Sequence, residues 1–438
     1  MNKLLTLLVI FFISINSIAQ SIGIGTATPH ASAALEIKST TQGLLIPSMT
    51  LAQRGAIGAP ATGLLIFQTD GASGFYYNAG IPSTPIWTPI GDGGSGWLLT
   101  GNSGTNPSTN FIGTTDNQPL MFRVNNFKAG YTDSASFNTG FGYRAGDSVV
   151  SGAFSAAVGY KAMLSNSTGL RNTAIGANAM RFGSAGSFNT ALGFESLSRN
   201  TADYNTAAGA SSLVNNTTGS ANSAFGYNAL NFNTTGNSNT AHGYFALAGN
   251  RTGYDNTAIG QGSMTANFGG FGNTAVGLHS LYFNNSGSSN VAVGIRALHA
   301  NTAGSSLVAI GDSALFSHNW GNGNTAVGSH AMYNNTFTEN NTAVGFQSMY
   351  ENTYGHSNTA IGTNALRNNT NGYANVALGS NAAVNGSGFW RVAIGDSALF
   401  SNTSNFTVAI GAHAAPYNIN SSGNVFIGFR SGYQSTGG

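Results

Sequence analysis

The sequence predicts an all-β protein, a parallel β-roll or β-solenoid of about eighteen coils preceded by small β-rich modules. A phrase of the type Asn-Thr-Ala-Ile-Gly recurs through most of the chain, for example at 172–176 and 273–277. Its glycine marks eighteen positions from Gly142 to Gly428, and fourteen of the 17 spacings are 17 residues while three are 16. A fixed period of this size is typical of a solenoid, in which each coil contacts only its neighbours.

Composition narrows the classes of partner. Only 6% of the 438 residues are charged, against roughly 25% in ordinary soluble domains. The formal net charge is +2, so we expect no nucleic acid or acidic membrane as a partner. The chain has 61 glycines and no cysteine, so disulfides do not stabilise it. Hydrogen-bond ladders, packing and association must do so.

The first nineteen residues read as a secretory signal. Lys3 is followed by the apolar run 4–13, and the small residues Ser17 and Ala19 place a cleavage site after Ala19. The run is too short to span a bilayer comfortably, although an uncleaved anchor is the alternative. No later segment approaches 18 apolar residues. We therefore expect an exported protein, at the cell surface or extracellular, with no transmembrane segment after signal removal.

The rest of the chain divides by composition. We predict a small β-rich module over 20–90, a Gly-rich linker at 91–96, a short β capping module over 97–130, the repeat domain over 131–432 and a tail at 433–438. Apolar runs bounded by turn residues indicate the strands of the two modules. They are 43–47, 63–67, 74–77, 97–99 and 120–124, and 51–56 is expected to form a helical turn or two.

Within a repeat, each position relative to the marked glycine has its own preference. Position −4 is Asn in fourteen of eighteen repeats, −3 is Thr or Val in sixteen, −2 is Ala in sixteen, and −1 is apolar in seventeen. Positions −3 and −1 share one strand face and −2 lies on the other. We interpret −3 and −1 as the inward face, packed against Leu or Met at +4. Ala at −2 and Ala or Ser at +3 would let two backbone layers approach closely.

The glycine is expected at a sharp corner that other residues resist. The Asn at −4 is expected to cap a turn and stack on the Asn of the next coil, as amide ladders do in stacked strands; a merely tolerated turn residue is the alternative. The structural residues predicted in this way are the glycines Gly176, Gly193, Gly226, Gly243, Gly260, Gly277, Gly294, Gly311, Gly328, Gly345 and Gly362 and the asparagines Asn172, Asn189 and Asn273.

The repeat resembles the head of trimeric autotransporter adhesins, the YadA-like left-handed parallel β-roll. The likeness lies in the apolar–Ala–apolar–Gly core with Ala or Ser three residues later, as in 291–297 and 408–414, and it covers about 140–432. It implies a homotrimer that binds host or matrix surfaces. The repeat here is longer than that family's usual unit, and the chain has neither a heptad stalk nor a C-terminal membrane barrel.

The N-terminal region resembles secreted, tail-fibre-like proteins of Bacteroidota. The segments that carry this likeness are 22–26, 34–39, 43–47 and 113–123. Such proteins often end in a self-cleaving chaperone domain of the phage tail-spike type, which is absent from this sequence. A truncated chain, a removed domain and unaided trimerisation are the three explanations.

Catalysis and metal binding find little support. The acidic residues of the repeats are scattered, and Asp312 and Asp396 share position +1 but lie five coils apart, about 24 Å by strand spacing. Of His279, His330 and His413 at position +2, the nearest two are three coils apart, about 14 Å. We therefore predict no catalytic residue, cofactor or metal. His242 at position −1 is either a hydrogen-bonded core residue or one of three imidazoles that meet near a trimer axis.

Aromatic residues at position +1 are the candidate ligand-facing side chains. They could form an exposed stripe on which sugars stack, or they could pack on a neighbouring coil or chain. The candidates are Tyr143, Tyr160, Phe194, Tyr227, Tyr244 and Phe346, with Phe429 at the last coil.

The sequence therefore favours an exported, non-catalytic fibre or adhesin that attaches to cells, matrix or glycans. The alternative is a receptor-binding, tail-fibre-like protein of a phage-like or injection apparatus, which a secretory signal disfavours. Ice binding through a Thr ladder is disfavoured by six Val at position −3. An enzyme ranks last.

Overall fold

The structure is a computed structural model that describes residues 21–91, 101, 103, 105–106, 108–148, 153–183, 185–417 and 422–433. The chain forms two compact units, Met1–Ile112 and Gly113–Gly438. The expected signal segment 1–19, most of the linker and the strand expected at 97–99 lie outside the described residues. The same is true of the tail beyond residue 433.

The first unit contains two small sheets. A parallel pair joins β1 to β2, and in the second sheet β3 runs parallel to β4 while β4, β5 and β6 are antiparallel. The elements are β1 (Ile22–Ile24), β2 (Leu35–Ile37), β3 (Ser48–Met49), α1 (Leu51–Gly55), β4 (Leu65–Gln68), β5 (Gly74–Asn78) and β6 (Trp87–Ile90).

Local chemistry explains the short helix and one displaced strand. Helix α1 starts at a capping box, in which the Thr50 hydroxyl accepts the Gln53 N–H and the Gln53 side chain accepts the Thr50 N–H. The strand expected over 43–47 is not formed, and β3 begins only at Ser48. Pro47 has no N–H to donate to a ladder, which accounts for the shift.

The second unit begins with an antiparallel meander. Strands β7 (Leu120–Val124), β8 (Phe127–Asp133) and β9 (Asn138–Phe141) pair in order, and β9 then pairs in parallel with the first repeat strand. The meander covers the N-terminal edge of the parallel sheet, so its backbone groups at that edge are paired rather than open to another strand.

Seventeen three-residue strands follow in one continuous parallel sheet, which confirms the predicted β-solenoid. Equivalent positions of successive repeats lie in register, as Ala275 does with Ala292. The strands are β10 (Ala156–Val158), β11 (Thr173–Ile175), β12 (Thr190–Leu192), β13 (Thr206–Ala208), β14 (Ser223–Phe225), β15 (Thr240–His242), β16 (Thr257–Ile259), β17 (Thr274–Val276), β18 (Val291–Val293), β19 (Val308–Ile310), β20 (Thr325–Val327), β21 (Thr342–Val344), β22 (Thr359–Ile361), β23 (Val376–Leu378), β24 (Val392–Ile394), β25 (Val408–Ile410) and β26 (Val425–Ile427).

The inward face of each strand carries alanine. Ala258 and Ala275 at position −2 are fully buried, whereas Ile259 at −1 is 42% exposed and Thr257 at −3 is half-buried. The prediction that −3 and −1 face inward is therefore wrong. Successive side chains do alternate between the two faces of the strand, as predicted, but the face that points inward is the one that carries position −2. The two backbone layers lie so close that the strand contributes only Ala, and the one large core side chain per coil is the Leu or Met at +4, such as Leu281.

The marked glycine is required by conformation and by space. Gly277 has φ +131°, and a Cβ added to it would lie 2.5 Å from the carbonyl oxygen of Gly294 in the next coil. An L-residue at this corner would be strained even without a neighbour, and the neighbouring backbone leaves no room for it.

In most coils three further positions adopt the left-handed conformation without glycine. In one coil they are His279 at +2 (φ 53°), Leu281 at +4 (φ 50°) and Ser289 at −5 (φ 59°). Each costs roughly 1 kcal/mol or more for an L-residue. Hydrogen bonds to adjacent coils hold them in place, as when the Leu281 N–H donates to the Ala297 carbonyl.

Asparagine at −4 forms a buried ladder along the coils. The Oδ1 of Asn256 accepts the backbone N–H of Asn273 at 3.1 Å and its Nδ2–H at 3.0 Å. The Asn273 amide also donates to the Gly287 carbonyl at 2.9 Å. Equivalent bonds recur down the sheet, so the amide serves as a ladder rather than as a tolerated turn residue.

A second ladder lies at position +7, which is Asn in thirteen of the eighteen repeats and to which the sequence analysis assigns no role. The Nδ2 of Asn233 donates to Asn216 Oδ1 at 2.7 Å. The glycine carbonyl at +10 joins both ladders, because Gly253 O accepts from Asn239 and from Asn250, each at 2.9 Å. We call these two ladders and the carbonyls between them the asparagine spine.

Candidate functional site

Acidic and histidine side chains are the groups of this chain that could ligate a metal ion. Within the described ranges, no group of three His, Cys, Asp or Glu residues could hold a metal ion. His413 and Asp396 form one ion pair across adjacent coils at 3.8 Å, with both side chains largely exposed. A lone exposed pair of this kind contributes little to stability or to chemistry.

His242 lies on the outer face of its strand. The side chain is exposed, and its ring lies 4.4 Å from that of Phe225, which holds the same position in the preceding coil. The alternative that His242 is a hydrogen-bonded core residue is therefore wrong.

His318 occupies position +7 and continues the second ladder with an imidazole. Its Nε2 lies 3.1 Å from the Gly321 carbonyl and its Nδ1 lies 3.0 Å from the Asn335 amide oxygen, while Asn335 Nδ2 has no partner as oriented. Turning that amide over lets Nδ2 donate to Nδ1, which satisfies a neutral ring protonated at Nε2. Burial lowers the pKa of His318, which also favours the neutral form.

Arg391 replaces the −4 asparagine in one coil and spans the space between the two ladders. Its Nε donates to Asn375 Oδ1 at 3.1 Å, Nη1 to the Asn402 carbonyl at 2.7 Å and Nη2 to the Gly386 carbonyl at 2.9 Å. Gly386 sits at +7, where a side chain would meet the guanidinium. Burial lowers the pKa of Arg391 to about 10, so the group stays charged at neutral pH.

The aromatic residues predicted at +1 lie mostly on the surface in short groups. Tyr227 and Tyr244 stack at 5.6 Å and Tyr143 and Tyr160 at 6.0 Å, with Tyr143 half-buried against Phe127. Phe194 and Phe346 are about half exposed. Small or polar residues at +1 in other coils break the row, and a role in ligand binding stays a prediction for these six side chains.

A longer aromatic column, which the sequence analysis missed, lies at position +5. Successive ring centroids are 5.4, 5.1, 5.0 and 5.2 Å apart, and a guanidinium lies 5.2 Å from the last ring. Equivalent positions stack because adjacent coils are spaced like paired strands, about 4.8 Å apart. Its members are Tyr282, His299, Phe316, Tyr333, Tyr350 and Arg367. Tabulating position +5 alone would have found it.

A second column at −5 contains a cation between two rings. Arg171 lies 5.6 Å from the ring of Phe154 and 5.1 Å from that of Phe188. Phe137 stacks on Phe154 at 4.9 Å, and Tyr204 stacks on Phe188 at 5.1 Å. The planar guanidinium fits this stack without interrupting it.

A shallow groove runs along the segment from +5 to +8, which returns the chain after the corner, and extends at one end to residues at +1 and +2. It consists of three adjoining cavities of about 500, 310 and 140 Å³. Ala266 and Phe268 line both of the first two, and Phe245 and Thr265 line both of the last two. We call this feature the return-side groove.

The outer face of the sheet carries an apolar row, which we call the strand-face stripe. It is formed by the −1 side chains of successive coils, which are large and more than a third exposed in many repeats. These are Phe141, Val158, Ile175, Leu192, Phe225, Ile259, Ile310, Ile361, Ile410 and Ile427.

Comparison with known proteins gives one match. Residues 23–107 match the model of a family described as a phage tail like trimerisation region. This segment is similar to that region and covers a minor part of the chain. No curated protein and no solved structure matches. Among the described residues, no helix has the length and apolar character that crossing a membrane requires. The β-solenoid and the match together fit a fibre-like structural protein.

Replacing Arg391 with Ala should destabilise its coil by roughly 3 kcal/mol or more, because three buried acceptors lose a charged donor. The measurement is local amide hydrogen exchange over 375–411. Arg251→Ala, which removes an exposed arginine, is the control and should change little. Equal protection in the two variants would show that the Arg391 bonds add no stability.

His318 should make stability depend on pH. Its pKa is lowered in the folded state, so the stability that the neutral ring contributes is fully present above the unfolded pKa of about 6.5 and is lost as pH falls from there through the lowered folded-state pKa. His318→Asn restores the ladder residue of other coils, so its melting temperature should fall less than that of the unmodified protein between pH 8 and pH 5. The exposed His356→Asn is the control, and identical pH responses in all three proteins would contradict the assignment.

Proposed function

We propose that this protein is an exported, non-catalytic, trimeric fibre that presents β-solenoids for attachment to cells, matrix or glycans. The strand-face stripe is the observation that carries the proposal. The 17 steps between eighteen coils, at about 4.8 Å each, make a row roughly 80 Å long. A contiguous apolar surface of that extent marks an interaction site rather than ordinary solvent-exposed surface.

Further copies of the chain are the partners that best suit the stripe. Rotation of copies of the chain about an axis along the solenoid brings their identical stripes together with equivalent coils side by side. The row at −1 is apolar except for His242, and position −3 beside it is Thr or Val in sixteen of eighteen repeats, so no Asp, Glu, Lys or Arg at these positions would be buried. The likeness of residues 23–107 to a trimerisation region supports three chains.

The first unit also exposes apolar side chains within the matched segment. Leu44 is 65% exposed and Leu45 is 90% exposed, and they border a cavity of about 260 Å³ that Phe67 and Phe75 help to line. Side chains of this size cost free energy in water, which burial between chains would recover. Both units thus offer surfaces that suit assembly.

Attachment and export rest on other features. The sequence carries a signal-like segment at 1–19, and the solenoid displays variable aromatic and polar residues on an otherwise constant frame. The second candidate is a receptor-binding, tail-fibre-like protein of a phage-like or injection apparatus. The match to a phage tail like trimerisation region favours it specifically.

If copies of the chain pack through the strand-face stripe, the side chains at −1 of neighbouring copies should lie close together. Because the chain has no cysteine, Ile310→Cys introduces one reporter per copy. A short bismaleimide should crosslink this variant efficiently in residues 20–438, and light scattering should give three chains per particle. Tyr354→Cys, at an exposed position on the return segment, is the control and should crosslink poorly. Equal crosslinking of both variants, or a monomer by light scattering, would refute the stripe as an interface.

The two candidate functions differ at the N-terminus. An exported fibre should begin at Gln20 when isolated from its native cell and should fractionate with the cell surface or the medium. A component of a phage-like apparatus should keep residues 1–19 and sediment with large particles. Mass spectrometry of the N-terminus in each fraction decides between them.

A further inference from the structure

We propose that the return-side groove binds a linear, uncharged glycan that lies along the solenoid axis. This inference rests on the proposed attachment function and names its ligand class. The groove runs from Phe232 in one coil to Thr336 six coils later. Six steps at about 4.8 Å give a length of roughly 30 Å, which suits an extended chain of several sugars better than a compact ligand.

Small side chains open the floor of the groove, and aromatic rings border it. Ala248, Gly249, Ala266 and Ala300 leave the backbone accessible at +5 and +6. The rings beside them are about half exposed, so a ligand can reach part of each ring, although Tyr244 stacks on Tyr227 and Arg251 lies over Phe268. These rings are those of Phe232, Phe268, Phe283 and Tyr244. A sugar ring presents a face of C–H groups that packs on an aromatic face, as apolar groups do in other ligand sites.

The wall of the largest cavity supplies hydrogen-bonding groups without charge. Asn285, Asn319 and Thr336 line this wall, and each lies at position +8 of its coil. Within the described part of the chain, the structure gives the Asn285 amide and the Thr336 hydroxyl no hydrogen-bond partner, and the same holds for the Ser317 hydroxyl. Amides and hydroxyls both donate and accept, which matches the hydroxyl groups of a glycan.

The small number of charged side chains in the groove favours an uncharged glycan over other elongated ligands. Among the described residues that line the three cavities, Arg251 is the one Asp, Glu, Lys or Arg, and His279 lines the smallest cavity. A single arginine is a poor match for nucleic acid or for a polyanionic glycan, whose affinity comes from many cations. A lipid chain would leave the polar row at +8 facing apolar groups, which costs free energy. An uncharged glycan packs on the aromatic rings and forms hydrogen bonds with the polar side chains at +8.

The aromatic residues of the groove are not a constant part of the coil. Position +6 is Phe at Phe182, Phe232 and Phe283, and later coils carry Asn334, Glu351 and Asn368 there. The frame of each coil is the same there, so the fold does not require the rings. Their concentration over a few coils indicates a local binding function.

The test is isothermal titration of the full assembled chain with cellohexaose, mannohexaose and xylohexaose, and with hexagalacturonate as the charged probe. At least one neutral hexasaccharide should bind, and hexagalacturonate should bind at least tenfold more weakly. The double variant Phe268→Ala/Phe283→Ala should lose at least tenfold in affinity. Phe337→Ala removes a similarly exposed ring outside the groove and should bind as the unmodified protein does.

The assembly state of each variant is measured by light scattering in parallel. Failure of all neutral probes, or equal loss in the Phe337 control, overturns the groove as a glycan site while leaving a trimeric fibre intact. A double variant that dissociates shows instead that the groove is a contact between copies of the chain, which also overturns it. An unmodified protein that is not trimeric would count against the proposed fibre and not against the groove as a glycan site.

Discussion

Hydrogen bonding through buried asparagine amides is the interaction on which the rest of the solenoid depends. The interior of a coil contains two small residues and one Leu or Met, so apolar burial contributes little per coil. The spine supplies cohesion instead, since most −4 amides accept the backbone N–H of the next coil and donate to a backbone carbonyl. The Asn273 amide accepts the Asn290 N–H and donates to the Gly287 carbonyl. Buried amides that are paired from coil to coil hold one register, because a slip would leave their donors and acceptors unpaired.

The surface features follow from that register. When every coil repeats at the spacing of paired strands, side chains at one position form a column, as the rings from Tyr282 to Tyr350 do. The spine also tolerates substitutes that reproduce its bonds. His318 and Arg391 do so with ring and guanidinium nitrogens in place of an amide. The interior is therefore constrained by hydrogen-bond geometry, and the exterior is left to vary with function.

The periodicity predicted the architecture because a repeat constrains every coil at once. Which face of each strand points inward was not predictable in the same way. Alternation alone is compatible with either face, and the larger residues at −1 suggested the wrong one. Ile259 points outward because the layers are too close for it, a distance that sequence does not contain. The left-handed turn at Leu281 was also hidden, because an apolar β-former gives no local sign of it. The +5 column and the second ladder were readable and were passed over as turn residues.

Amide hydrogen exchange on Asn256→Ala tests the central role of the spine most directly. The substitution removes the acceptor of the Asn273 N–H, and an orphaned buried donor costs about 1–3 kcal/mol, so exchange at Asn273 should accelerate roughly tenfold or more. Asn237→Ala is the matched control, because its exposed amide also accepts a backbone N–H, from Ser220, and water can replace it. Unchanged protection at Asn273 in Asn256→Ala would contradict the account.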